Sequence, residues 1–478
     1  MRKIYLLIAP LFFIFLSEVH ASEPLISAND EYFDDFKKLH QLGYQGNGQR
    51  VVILEPAITL QYTHPAFLGK EIQAVDVGRN PQPPTNFNNQ SRLRYTHDFC
   101  NKVLDLFFWT PSFHAQGITS ILIANPLKDH YFSGGLIPQA KLKLVSFSQV
   151  AGRTRDDWVD GARKFASTSI YPFGESGFIR TDAQKRAIES YSQEQGINFS
   201  ATIIDDSIYD AFRNAFRSSN RLILGSFNLE SPCDFKNLYF LTPDFLNFLV
   251  KGLEETDQIL ILSAGNFGFD ISEANKKGIE LRKQAQDMNP KQGDFIAECE
   301  KVSQMNQSSE FLQKVPFKQF AEHPILKKRV LIVVNAMISS AKEKAGLGRG
   351  KVKLSNSKKF DICLNPSSCY PGMDKALQDI TITAFGTNIK VATDMDKDIF
   401  KLDSGTSFAV PMVGSLLSLI DEYHKRQNKK ISGTKLVEIL KKGCALPKPG
   451  KTDLKCYYGN GLMDPLAFLD KSDLKRLH

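Results

Sequence analysis

The segment GQRVVILEPA, residues 48–57, is a turn followed by a short apolar run that ends on an acid and a proline. Gly46-Asn47-Gly48 supplies the turn signal, and Arg50-Val51-Val52-Ile53-Leu54-Glu55 reads as a strand. Its apolar residues do not alternate with polar ones, so the strand is expected to be buried on both faces, as in a parallel sheet covered by helices. Runs of the same character recur at 142–147, 221–224, 259–262 and 330–334. Helical patterns stand between or after them at 118–124, 208–217 and 412–423. This alternation predicts an α/β fold with a doubly wound, mostly parallel sheet and helices on both faces. Two stretches, about 149–205 and 269–328, are polar and helix-leaning without a clear buried strand, and are read as insertions over the rim of the sheet.

The chain has 478 residues, 42% of them hydrophobic and 23% charged, which is globular rather than disordered composition. Arg2 and Lys3, an apolar run over 4–16 and the small-residue site Val19-His20-Ala21 read as a signal peptide over 1–21. The run is short for a membrane span, so the expected product is an exported protein, secreted or periplasmic, without stable membrane insertion. The net charge of +8 is spread along the chain, and no nucleic-acid motif accompanies its lysine clusters. Of seven cysteines, Cys363 with Cys369 and Cys444 with Cys456 are the close pairs expected to form disulfides in an oxidising compartment. No cysteine or histidine spacing suits a metal.

LDSGTSFAVP, residues 402–411, sets a serine between small residues and a proline four positions on. The apolar pattern from Met412 continues as a helix that would start near Thr406, with Pro411 expected to fall in the first turn, where its missing N–H costs little. Ser407 then lies at the helix N-terminus, among unpaired N–H groups and the positive end of the dipole. That position suits a nucleophile whose reaction creates an oxyanion, and it equally suits a helix cap.

Gly405-Thr406-Ser407-Phe408-Ala409-Val410-Pro411 resembles the nucleophile motif of the subtilases, the subtilisin-like serine peptidases. His114-Ala115-Gln116-Gly117-Ile118-Thr119-Ser120-Ile121 resembles the family's histidine motif, and Ser263-Ala264-Gly265-Asn266-Phe267-Gly268 its oxyanion segment. Residues 135–142 look like the turn into a core strand and 458–464 like the closing segment. Leu224-Gly225-Ser226-Phe227-Asn228 resembles the strand edge that pairs with extended substrate. Covering about 31–470, the resemblance implies a serine endopeptidase. Ser407 would be its nucleophile, His114 its base and Asn266 the oxyanion donor, with Ser226, Phe227 and Asn228 lining substrate. It implies an extended peptide or protein partner and no catalytic cofactor. Family members often hold structural calcium, but no acidic loop identifies a site.

The sequence departs from the family in three places. Where the triad acid is usually aspartate followed by Ser/Thr-Gly, this chain has Glu55-Pro56-Ala57. Glutamate is ionised near neutrality as aspartate is, so it can still hold a histidine tautomer. Asp98 is a poor substitute, because similar His-Asp-Phe segments lie beyond the triad acid in subtilases. Ala115-Gln116 replaces the usual Gly-Thr after the histidine. Residues 22–41 are too few for an inhibitory prodomain, so the peptidase domain is expected to span 42–470. The sedolisins share Ser-Gly-Thr-Ser and use glutamate, but lack the His114 motif. No Gly-x-Ser-x-Gly elbow marks a lipase. The alternative is a pseudopeptidase that binds extended peptides without cleaving them, to which Glu55 and the altered His114 context point.

Overall fold

The computed structural model describes residues 30–55, 64–77, 114–130, 132–146, 198–204, 208–227, 243–266, 268, 270–273, 316–339, 346–393, 399–448 and 454–477. The expected signal peptide, Pro56, Asp98, Asn228, Cys100, Cys233 and Cys299 lie outside these residues. The first half of the chain contributes α1 (Asp30–Gln41), β1 (Arg50–Glu55), β2 (Glu71–Val77), α2 (His114–Ile123), β3 (Lys141–Ser146), β4 (Asn198–Ile204), α3 (Ile208–Phe216) and β5 (Leu222–Gly225). Then come α4 (Pro243–Thr256), β6 (Ile259–Ser263), α5 (Pro316–Glu322), β7 (Val330–Ile338), β8 (Leu347–Lys353), β9 (Lys359–Leu364), α6 (Lys375–Ile380) and β10 (Thr381–Phe385). The chain closes with β11 (Ile389–Ala392), β12 (Phe400–Asp403), α7 (Thr406–Arg426), α8 (Gly433–Gly443), α9 (Lys455–Tyr458) and α10 (Lys471–Arg476).

One sheet of ten strands runs β4-β2-β3-β1-β5-β6-β7-β9-β8, with β10 also paired to β7. Every pair from β4 to β7, and β7 with β10, is parallel, while the β8–β9 hairpin joins antiparallel. All residues of β5 and β6 are buried, so both alternate sets of side chains are covered and the sheet has layers on both faces. The fold is α/β with a mostly parallel sheet. Helix α7 crosses β5, β6, β7 and β10, and is buried from Thr406 to Tyr423. It fits closely because Gly414 faces Leu224, where a Cβ would come within 2.7 Å of the leucine side chain.

Chain order places β1 centrally, sends β2, β3 and β4 to one side, and resumes with β5 on the other. Between β1 and β5 the winding reverses, and at such a switch point the carboxyl ends of the strands leave a crevice that binds ligands. Glu55 is the last residue of β1, and Leu54 is paired with Gly225, so Glu55 and Ser226 are level at that crevice.

Several expectations are corrected. The stretch read as an insertion at 149–205 ends in a strand of the main sheet, β4, beside the equally unexpected β2. Both escape a search for continuous apolar runs: Glu71, Gln73 and Asp76 interrupt one, Asn198, Ser200 and Thr202 the other. Residues before 42 belong to the domain core as well. Helix α1 buries Tyr32, Phe36 and Leu39, and the Tyr32 hydroxyl donates to Met463 O at 2.8 Å.

The expected pairings are not seen among the described residues: no disulfide joins Cys363 to Cys369 or Cys444 to Cys456. Cys444 Sγ donates along its own helix to Leu440 O at 3.3 Å. Cys363 Sγ is turned against Gly346, where a Cβ would approach it to 2.2 Å. The Cys363 and Cys444 sulfurs are thus placed by their local surroundings rather than by the neighbouring cysteine in sequence.

Pro411 is the sixth residue of α7, not a first-turn residue. Its missing N–H would have bonded Ser407 O, four residues back.

Candidate active site

The acid and the histidine meet. Glu55 Oε2 lies 2.9 Å from His114 Nδ1, with the glutamate side chain 2% and the histidine side chain 13% exposed. A charge-assisted contact of this kind is strengthened where water is excluded. His114 opens α2, whose remaining residues are all buried. Gly117 lets α2 approach α7: a Cβ there would stand 3.1 Å from the Phe408 ring, and the His114 and Phe408 ring centroids are 5.6 Å apart. Gln116, one of the two departures after the histidine, donates its amide to Thr393 O. Ser120 Oγ donates to Gly117 O at 2.7 Å and accepts from Ala392 N–H at 3.0 Å. Helix α2 is thus tied to β11, which fixes where it presents His114.

Asn266 follows β6 through Gly265, whose φ of +105° suits glycine. Its Oδ1 accepts from Thr406 N–H at 2.9 Å and from Thr406 Oγ1 at 3.0 Å. With the oxygen engaged at the first residue of α7, the Nδ2 protons are the ones directed elsewhere. Thr406 was not singled out in the sequence. The signal for it was only its place before the serine, which says nothing of a partner 140 positions away.

Ser407, the second residue of α7, is 3% exposed. Its hydroxyl donates to Ser226 O at 3.1 Å, and the Ser226 hydroxyl donates to Ser407 O at 3.1 Å. This reciprocal pair explains the proline. Pro411 withholds the helical donor from Ser407 O, and Ser226 Oγ supplies one from the neighbouring strand. Ser226, expected at a substrate edge, is buried, and its hydroxyl and carbonyl oxygens both engage Ser407. Phe227 is also buried, and Phe227 O accepts from Ser263 Oγ at 2.8 Å.

A double substitution tests the exchange. Ser226→Ala strands a buried carbonyl and is expected to lower stability by about 1–3 kcal/mol in urea unfolding. Adding Pro411→Ala should recover part of that loss, because the restored N–H at 411 reaches Ser407 O along the helix. Additive losses in the pair would show that Ser407 O has another donor.

His64, downstream of Glu55, is a packing residue. Its Nδ1 accepts from Ala66 N–H at 3.1 Å, and its Nε2 donates to Ile399 O at 2.9 Å. Burial pulls its pKa below the usual histidine value. Among the described residues no helix is long and apolar enough to cross a membrane, and no group of three or more His, Cys, Asp or Glu residues could hold a metal ion.

Solved structures with a similar course of the chain include the prenylagaramide maturation protease PagA, at 14% identity and TM-score 0.46, covering 91% of this chain and 97% of that one. The patellamide maturation protease PatG is similar at 12% identity and TM-score 0.49, over 92% of this chain and 96% of its own. The PatG macrocyclase in complex with peptide is similar at 13% identity and TM-score 0.47, over 94% and 98%. No family model matches the chain, and no curated protein matches its sequence significantly.

Proposed function

We propose that this chain is a subtilisin-like serine endopeptidase that is exported after loss of residues 1–21. The observation that carries the reading is the buried Glu55–His114 hydrogen bond at the switch-point crevice, on a helix packed against the one whose N-terminus holds Ser407. Sequence motifs for nucleophile, base and oxyanion donor, far apart in the chain, support it.

In the proposed reaction a serine rotamer change turns the Ser407 hydroxyl from Ser226 O toward His114. Ser407 Oγ attacks the peptide carbonyl carbon as its proton passes to His114 Nε2, while Glu55 keeps the Nδ1 proton in place and balances the imidazolium. The oxyanion takes hydrogen bonds from Asn266 Nδ2 and Ser407 N–H, beside the positive end of α7. Collapse breaks the C–N bond, and His114 gives its proton to the departing amine. Water then attacks the acyl-enzyme, its proton passing through His114 back to Ser407. Extended peptide is the substrate class, laid along the segment after β5.

A pseudopeptidase is the second reading, favoured by the engagement of the Ser407 hydroxyl with Ser226 O. A fluorophosphonate probe separates the two, since it phosphonylates only an activated serine. Peptide mapping of the labelled protein is expected to find the adduct on Ser407, and an unlabelled protein would defeat the peptidase reading.

A further inference from the structure

Strand β7 reads Val-Leu-Ile-Val-Val-Asn-Ala-Met-Ile, and its one polar side chain, Asn335, is fully buried in the interior of the sheet. An amide there costs stability unless its hydrogen bonds are made. Asn335 Oδ1 accepts twice, from Gly386 N–H at 2.8 Å and from Thr387 Oγ1 at 3.1 Å. Its Nδ2 has no hydrogen-bond partner among the described residues. The position therefore uses an acceptor.

The two groups it holds lead to the nucleophile. Gly386 O accepts from Gly405 N–H at 2.8 Å, and Gly405 is the N-cap of α7, two residues before Ser407. The approach is tight, for a Cβ at 386 would stand 2.5 Å from Gly405 O and 2.9 Å from Ala409 N. The backbone of Asn335 leads to the oxyanion segment instead. Its N–H donates to Ser368 Oγ at 3.0 Å and its carbonyl accepts from Asn365 N–H at 3.0 Å. That loop grips both sides of Asn266: Cys369 N–H donates to Gly265 O at 2.9 Å, and Gly268 N–H donates to Ser367 O at 2.7 Å. Asn365 Nδ2 closes the circuit by donating to Thr387 Oγ1 at 3.0 Å.

We propose that Asn335 is a positioning residue that sets the start of the Ser407 helix relative to the Asn266 segment, a role that rests on the peptidase reading above. Both halves of the reaction centre are referred to one buried point in an interior strand. Backbone links to 365–368 survive a side-chain change, so substitution should release the helix start while leaving the oxyanion segment held.

The test compares the full-length unmodified protein with Asn335→Leu, which has similar volume and no acceptor, and with Asn335→Asp, which keeps an oxygen in the same place. Asn335→Leu is expected to lower kcat for a peptide and the fluorophosphonate labelling rate at Ser407 by about 10–100-fold, with KM changed less than about threefold. Amide hydrogen exchange at Gly386 and Gly405 should quicken at least about tenfold, with little change at Gly265 and Gly268. Asn335→Asp should stay within about threefold of the unmodified rate. A purely structural role would lower Tm alone, so normal kcat and normal exchange in Asn335→Leu overturn the proposal. If that variant does not fold, Asn335→Ala, which removes the oxygen without bulk, takes its place under the same criteria. An unmodified protein that takes no label sinks the peptidase reading and this inference with it. A labelled unmodified protein beside an unaffected Asn335 variant sinks the role of Asn335 only.

Discussion

Ser407→Ala is expected to lower kcat by about 10⁶-fold, and adding His114→Ala should lower it little further. In the proposed peptidase reaction the two side chains would act as one device: without the hydroxyl there is no proton for the imidazole to take, and without the base the hydroxyl is a weak nucleophile. Residual catalysis would come from the oxyanion donors and from binding. The variant should remain folded, because the lost hydroxyl makes one hydrogen bond, to Ser226 O, and stranding that carbonyl costs about 1–3 kcal/mol, as at Ser407 O. Steady-state hydrolysis of a peptide, with unfolding measured alongside, checks both statements. Turnover in Ser407→Ala close to that of the unmodified protein would mean that another group performs the chemistry.

The second large effect belongs to the acid. Glu55→Gln should lower kcat by about 10⁴-fold near neutral pH while leaving the fold intact. An amide at 2.9 Å from Nδ1 can donate as well as accept. Donation to Nδ1 traps the tautomer that already carries its hydrogen on Nε2, which cannot then take the serine proton. The negative charge that balances the imidazolium is lost at the same time. Glu55→Asp is instructive because it restores the residue usual in the resembled family. Here it withdraws the carboxylate by one methylene from an imidazole placed for glutamate, so a loss of about 10²-fold is expected rather than a gain. Undiminished kcat in Glu55→Gln would remove Glu55 from the mechanism without touching Ser407 or His114.

The buried parallel strands were legible because their signal is local. Val51 to Leu54 and Ile259 to Leu262 are continuous apolar runs, and such runs have few alternatives to a covered sheet. Strands β2 and β4 were not legible, since polar residues interrupt their apolar positions. The expected cysteine pairings were not legible for a related reason. Nearness in sequence brings two cysteines into range, but β9 and α8 decide where Cys363 and Cys444 point.

The candidate site divides in the same way. Residues of the types that the proposed nucleophile, base, acid and amide donor require, with the helix start that presents Ser407, could be read from short motifs, because each motif encodes its own turn or helix end. Long-range partners could not. That Pro411 leaves Ser407 O to the Ser226 hydroxyl, that Thr406 engages the Asn266 side chain, and that Asn335 accepts from Gly386 depend on contacts across 181, 140 and 51 positions. By itself the sequence determined the fold class and the chemical inventory, which follow from periodicity and residue type. The tertiary structure alone decided which polar groups face one another. A hydrogen bond needs two atoms about 3 Å apart, and no spacing along the chain specifies that distance once the chain has turned back through a sheet.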